Sequence, residues 1–141
     1  MKPELYKNHS GVSRRPVDLF AARISAGFPS PAEDYIDKKL DLNEYLIRNP
    51  AATFFVRVHG DSMRDAAIRD GDMLVVDRSE QAVDGNIVVA ALNGELVVKR
   101  VNISGGKIYL VAENTEYEPI EVGEEEDLVV WGVVTAVVHK L

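Results

Sequence analysis

Ile87-Val88-Val89-Ala90-Ala91-Leu92-Asn93-Gly94-Glu95-Leu96-Val97-Val98-Lys99-Arg100-Val101 reads as a β-hairpin. Two runs rich in β-branched residues flank Asn93-Gly94, the pair best suited to hold two successive residues at positive φ in a two-residue turn. Working outward, similar apolar runs predict strands at 54–58, 73–76, 107–111 and 128–138, beside 87–92 and 96–101. Ser104-Gly105-Gly106 marks a further turn, and Gly132 predicts a bend or bulge inside the long last strand. Asp41 ahead of Leu42, Tyr45 and Leu46 reads as a short capped helix ending before Pro50, and Pro29 and Pro31 predict extended chain upstream of it. The fold class is mainly β.

Within the second hairpin strand stands one amine. Side chains alternate along a strand, so Lys99 shares its face with Val97 and Val101, while Arg100 shares the other with Val98. A free lysine titrates near ~10.4, and bringing it to roughly 7.4 needs about 3 units, or ~4 kcal/mol of preference for the neutral form. Burial among apolar side chains produces shifts that large. Arginine does not deprotonate, so Arg100 is no rival base. On the strand alone, the commoner outcome is a lysine that snorkels from a strand edge into water.

A base needs a nucleophile. Ser62 lies in Val58-His59-Gly60-Asp61-Ser62-Met63, a glycine-preceded turn. Most turn serines bond only their local backbone. Ser10, Ser13, Ser25, Ser30, Ser79 and Ser104 sit in loop or tail contexts with no better case. A Ser-His-Asp arrangement using His59 and Asp61 is conceivable, because geometry rather than order defines a triad, but no feature of the sequence orients His59.

Four blocks now carry a resemblance. Gly60-Asp61-Ser62-Met63, Ile68-Arg69-Asp70-Gly71-Asp72-Met73-Leu74-Val75-Val76-Asp77, Gly85-Asn86-Ile87-Val88-Val89-Ala90 and Gly94-Glu95-Leu96-Val97-Val98-Lys99-Arg100 resemble the self-cleaving peptidase family of LexA, phage repressors and UmuD. Glu113-Asn114-Thr115-Glu116-Tyr117-Glu118-Pro119-Ile120 and Trp131-Gly132-Val133-Val134 extend it, so that it covers roughly 26 to 138. The resemblance implies a compact peptidase β-fold with an extended N-terminal arm. It also implies a Ser-Lys dyad of Ser62 and Lys99, with backbone N–H groups at Asp61 and Ser62 binding the oxyanion.

The N-terminal stretch selects the branch of the family. A repressor places a helix-turn-helix ahead of the cleaved bond. The 26 residues before Gly27 contain Pro3, Gly11 and Pro16 and show no three-helix period, so such a domain does not fit there. Ser25-Ala26-Gly27-Phe28-Pro29-Ser30-Pro31-Ala32 resembles the tract at which UmuD removes its own short arm. Where enteric UmuD has Cys-Gly and LexA Ala-Gly, this chain reads Ala26-Gly27; small residues on both sides let the backbone approach a nucleophile closely. The expected organisation is a removable arm at 1–26, an extended segment and short helix at 27–50, and a Ser-Lys peptidase domain at 51–141. By the same resemblance, a RecA–single-stranded-DNA filament promotes cleavage after DNA damage, and the processed homodimer joins a Y-family, UmuC-like polymerase for error-prone lesion bypass. A non-cleaving polymerase scaffold and a LexA-like repressor fragment are the alternative readings.

Composition agrees with this placement. At 141 residues the chain is one domain's worth. It contains no cysteine, which excludes a disulfide framework and a thiolate nucleophile and fits a reducing cytosol. His9, His59 and His139 lack ligand spacing, so neither a metal nor another cofactor is expected. No apolar run is long enough for a membrane span, and residues 1–26 hold no hydrophobic signal core, so a cytoplasmic location is expected. The net charge is −7, yet Lys2, Lys7, Arg14, Arg15 and Arg23 outweigh Glu4 and Asp18 in residues 1–26 by three. The remainder is therefore strongly acidic, densest at Glu124-Glu125-Glu126-Asp127, and direct binding to nucleic-acid phosphates is not expected of it.

Overall fold

A computed structural model of the chain describes residues 2–7, 17–20 and 36–141, with side chains described from Leu40 onward. The chain is mainly β. Its strands are β1 (Lys2–Lys7), β2 (Val17–Phe20), β3 (Ile36–Leu40), β4 (Thr53–His59), β5 (Met73–Asp77), β6 (Ile87–Leu92), β7 (Glu95–Ser104), β8 (Lys107–Val111), β9 (Ile120–Val122) and β10 (Leu128–Val138). One α-helix, α1 (Leu42–Leu46), and two short 3-10 turns, Pro50–Ala52 and Arg64–Ala66, accompany them among the described residues. The Ala26-Gly27 bond and the extended chain expected at Pro29 and Pro31 lie outside the described residues.

Two units divide the chain, one comprising residues 11–48 and the other residues 1–10 with 49–141. In the smaller, β2 and β3 pair antiparallel from Val17 opposite Leu40. Helix α1 follows with the expected cap, the Asp41 carboxylate accepting from the Asn43 N–H at 2.9 Å. In the larger, eight antiparallel strands form a sheet in the order β1-β4-β5-β10-β6-β7-β8-β9. The last strand is thus a central one, held between β5 and β6. The sheet curls until β1 and β7, five places apart, come within 8 Å at their Cα atoms.

Turn chemistry sets this register. Asn93 (φ 50°) and Gly94 (φ 85°) both lie in the left-handed region, and Leu92 pairs with Glu95 across them. Gly105 and Gly106 do the same between Ser104 and Lys107. At Gly132 the pairing of β10 with β6 slips, as a bulge requires. The residue must also be glycine for space, since a Cβ there would stand 2.7 Å from Val76 Cγ1 and 2.9 Å from the Asp77 carbonyl oxygen.

Burial follows the alternation. One core cluster gathers Phe54, Val56, Val58, Met63, Ile68, Leu74, Val76, Val89 and Val98. A second gathers Val88, Ala90, Val101, Leu110 and Val133. Val98 and Val101, three apart on β7, belong to different clusters because they face opposite ways. That split places the even-numbered face of β7 beside Met63 and the odd-numbered face, with Lys99, beside the second cluster.

Candidate active site

β4 delivers Ser62. The strand ends at His59, Gly60 turns at φ 99°, and a short 3-10 turn begins at Arg64. A set of bonds fixes this corner. The Gly60 N–H donates to Asp70 Oδ1 at 2.8 Å, and the Arg64 N–H to the Asp61 carbonyl at 3.1 Å. The Asp65 N–H donates to the Glu113 carbonyl at 2.7 Å. Met63, fully buried in the first cluster, anchors the turn from below, and its sulfur accepts the Glu113 N–H at 3.4 Å. Ser62 is consequently fully buried, and among the described residues its Oγ has no hydrogen-bond partner.

β7 delivers Lys99. Its cross-strand partner on β6 is Val88, and Val101 on the same face belongs to the same apolar cluster. Lys99 is 8% exposed. Burial disfavours its charged form and lowers its pKa below the ordinary 10.5. The adjacent Arg100 shows what a cation on the other face does. It forms an ion pair with Glu113 and donates from Nη1 to the Gly85 carbonyl at 2.6 Å. The alternation read from the sequence therefore separates an amine without a carboxylate partner among the described residues from a guanidinium held by an ion pair and a backbone carbonyl.

The segment between β8 and β9 links the two. Asn114, 3% exposed, donates from Nδ2 to the Asp61 carbonyl at 2.8 Å. The Tyr117 hydroxyl donates to Asp61 Oδ1 at 3.0 Å. The same Tyr117 ring lies 5.3 Å from Lys99 Nζ. The hydrogen bond to Asp61, followed by that carboxylate's charge, pushes the phenol pKa above 10.0. Neither Asn114 nor Tyr117 was singled out by spacing or residue type. They lie in the stretch that carried the family resemblance, but no local pattern ties residues 114 and 117 to a turn at 61.

A hydroxyl with its hydrogen-bonding capacity unused and an amine pushed toward neutrality are the two halves of a proton transfer. Oγ and Nζ are not hydrogen-bonded to each other, so engagement needs one of the groups to move, and catalytic hydrogen bonds often form only once substrate enters. His59 lies toward Asp70, Nδ1 to Oδ1 3.8 Å, with both side chains well exposed, and makes no bond to Ser62 Oγ. Asp61 instead engages Tyr117 and Asn114. The Ser-His-Asp arrangement is not assembled.

Residues 18–135 match the peptidase S24-like family, and the chain belongs to it. It is a UmuD-like member, a self-cleaving serine peptidase of the SOS response. Protein SamA of Salmonella typhimurium is 48% identical over 122 residues, covering 86% of this chain and 84% of SamA. Protein MucA of Escherichia coli is 44% identical over 137 residues, covering 96% and 92%. The LexA repressor of Pseudomonas chlororaphis is 40% identical over 119 residues, which are 84% of this chain and 58% of the repressor. No helix among the described residues is long and apolar enough to cross a membrane.

Proposed function

We propose that Ser62 is the nucleophile and Lys99 the general base of a reaction that cuts this chain's own Ala26-Gly27 bond. Neutral Lys99 accepts the proton of Ser62 Oγ as the oxygen attacks the Ala26 carbonyl carbon. The tetrahedral oxyanion is held by backbone N–H groups at Asp61 and Ser62. Collapse breaks the C–N bond, Lys99 returns its proton to the Gly27 amine, and water then hydrolyses the acyl-enzyme at Ala26. The observation that most supports this reading is Lys99 itself. It is caged by Val88 and Val101 and pushed toward its uncharged form, in a body whose one turn serine of interest is buried and unpartnered.

The arm removed is residues 1–26; residues 27–50 then lead into the peptidase body at 51–141. A RecA–single-stranded-DNA filament favours the engaged state. The shortened chain, as a homodimer in the cytoplasm, serves a Y-family, UmuC-like polymerase during error-prone lesion bypass. Kinship to LexA and to MucA, ImpA and SamA supports this setting.

Purified full-length chain incubated with activated RecA filaments tests the proposal, with fragments weighed by mass spectrometry. The expected products end at Ala26 and begin at Gly27, and Ser62→Ala gives none. An intact wild-type chain favours the non-cleaving scaffold, and a cut at another bond removes the assignment of Ala26-Gly27.

A further inference from the structure

We infer that Tyr117 is a positioning residue for self-cleavage, its ring covering Lys99 Nζ and its hydroxyl tethering the Asp61-Ser62 turn through the Asp61 carboxylate. This rests on Ser62 and Lys99 being the reacting pair. The segment between β8 and β9 grips the nucleophile's turn at several points. Glu113 holds Asp65 and Met63, and Asn114 holds the Asp61 carbonyl. These contacts locate the turn's backbone but do not reach Lys99. Among the described contacts, Tyr117 joins the lysine to the turn, 5.3 Å from Nζ on one side and 3.0 Å from Asp61 Oδ1 on the other. Any displacement of the turn relative to β7 must stretch one of the two.

Opposing effects of the ring on the amine have different sizes. The π-face attracts an ammonium and favours the charged form, by about 1.5 pK units for a desolvated pair. Excluding water favours the neutral form, by up to about 3–5 units where burial is complete. Tyr117 is 44% exposed, so its outer face meets solvent while its inner face displaces solvent from Lys99. On this proposal the exclusion of water wins, and the ring favours the neutral amine. Few other charges bear on this balance. Asp61 stands beyond the hydroxyl, Glu116 acts on the phenol, and Arg100 pairs with Glu113 on the opposite face of β7.

The two halves of the role separate in two variants. Tyr117→Phe keeps the ring and cuts the tether; unassisted cleavage should fall about tenfold, the worth of one charge-assisted hydrogen bond, with the midpoint of the pH–rate profile moving less than about 0.3 unit. Tyr117→Leu removes the ring, and the midpoint should rise by about one unit as water reaches Nζ. Asp61→Ala should match Tyr117→Phe, and combining the two should cost no more than either alone. A second readout does not need cleavage. In the full-length Ser62→Ala chain, NMR titration of the Lys99 ammonium should show the same upward shift for Tyr117→Leu and none for Tyr117→Phe. Wild-type cleavage by Tyr117→Phe, or multiplicative losses in the double variant, overturns the tether. An unmoved Lys99 titration in Tyr117→Leu overturns the cover. Scission that survives Ser62→Ala sinks the dyad instead, and the titration still decides the ring's effect on Lys99.

Discussion

Asp77, at the end of β5, and Ser62, in the turn after β4, are both buried polar residues in one sheet-built body, yet one is saturated with partners and the other has none. Asp77 is 4% exposed and accepts from the Ser79 N–H at 2.8 Å, Ser79 Oγ at 2.6 Å and Asn49 Nδ2 at 3.0 Å. Burial alone would raise its pKa, but these bonds and the Glu80 N–H outweigh it and hold the carboxyl below 3.8. Among the described residues Ser62 Oγ, equally enclosed, has no partner, and Lys99 is buried without a carboxylate. Buried polar groups in stable proteins are nearly always satisfied. Asp41 also leaves Oδ2 unbonded, but its Oδ1 caps α1, whereas Ser62 leaves its one side-chain oxygen without a partner. On the proposed reading, Asp77 is scaffold, while Ser62 and Lys99 are the reagents.

The largest effect should fall on the reagents. Lys99→Arg keeps a positive charge but removes the only form that accepts a proton at working pH. Unassisted cleavage should drop by about 10³-fold, the size of a lost general base. Because the guanidinium cannot shed its charge in this buried site, thermal stability should fall as well, and melts confirm that the assayed variant is folded. In the wild-type chain, cleavage should rise with pH as Lys99 deprotonates and level off above its lowered pKa, short of 10.5. A rate that ignores pH from neutral to strongly alkaline conditions, or an active arginine variant, would erase the distinction between the two regions.

Gly132→Ala strikes the scaffold from the β10 side. The new methyl would meet Val76 Cγ1 and the Asp77 carbonyl at distances real Cβ atoms do not adopt, and Val76 is itself fully buried. Overpacking against backbone should cost about 3 kcal/mol of unfolding free energy in urea melts. The Lys99 titration in the variant that folds should stay where it was. Movement of that titration would show that the scaffold and the reagents are one coupled region.

The sequence announced the bulge at Gly132 but not its reason, because Val76 and Asp77 meet it only after β5 and β10 pair. The hairpin at Asn93-Gly94 was legible to the residue, since few pairs tolerate two positive φ angles. The face of Lys99 was legible as well, strand alternation being a local rule. β9 was not, as three residues after Pro119 become a strand only by lying against β8. β1 was not legible either, since a strand tolerates Pro3 only at an edge, and it is the pairing with β4 that puts β1 there. Tyr117 and Asn114 were invisible for a related reason. Their partner at Asp61 is more than fifty residues away, and only the fold brings them together.

Asp77→Ala should cost about 2 kcal/mol at neutral pH, by stranding the donors of Ser79 and Asn49. The sign of its pH dependence follows from the lowered carboxyl. The folded state binds the Asp77 proton less tightly than the unfolded chain, so the contribution is complete above about pH 4 to 5. It fades as pH falls through the unfolded value and then the folded one. Urea melts from pH 7 to pH 3 should therefore show wild type and variant converging under acid. A constant gap would mean that Asp77 contributes by packing, not as a charged acceptor.

Lys99→Met asks the converse question and should give the smallest change, in the opposite direction. Methionine fills the volume of the lysine stem and presents nothing to desolvate among Val88, Val101 and the Tyr117 ring, so the fold should gain on the order of 1 kcal/mol at neutral pH. Here the folded pKa is lowered, so the unfolded chain binds the proton more tightly and wild-type stability rises with pH. The advantage of methionine should thus be full below the folded pKa and shrink as pH climbs, vanishing once free lysine is also neutral, above about 10.5. Any loss of stability in Lys99→Met would mean the amine holds a stabilising partner, and the buried lysine would then belong with Asp77 on the scaffold side of the comparison.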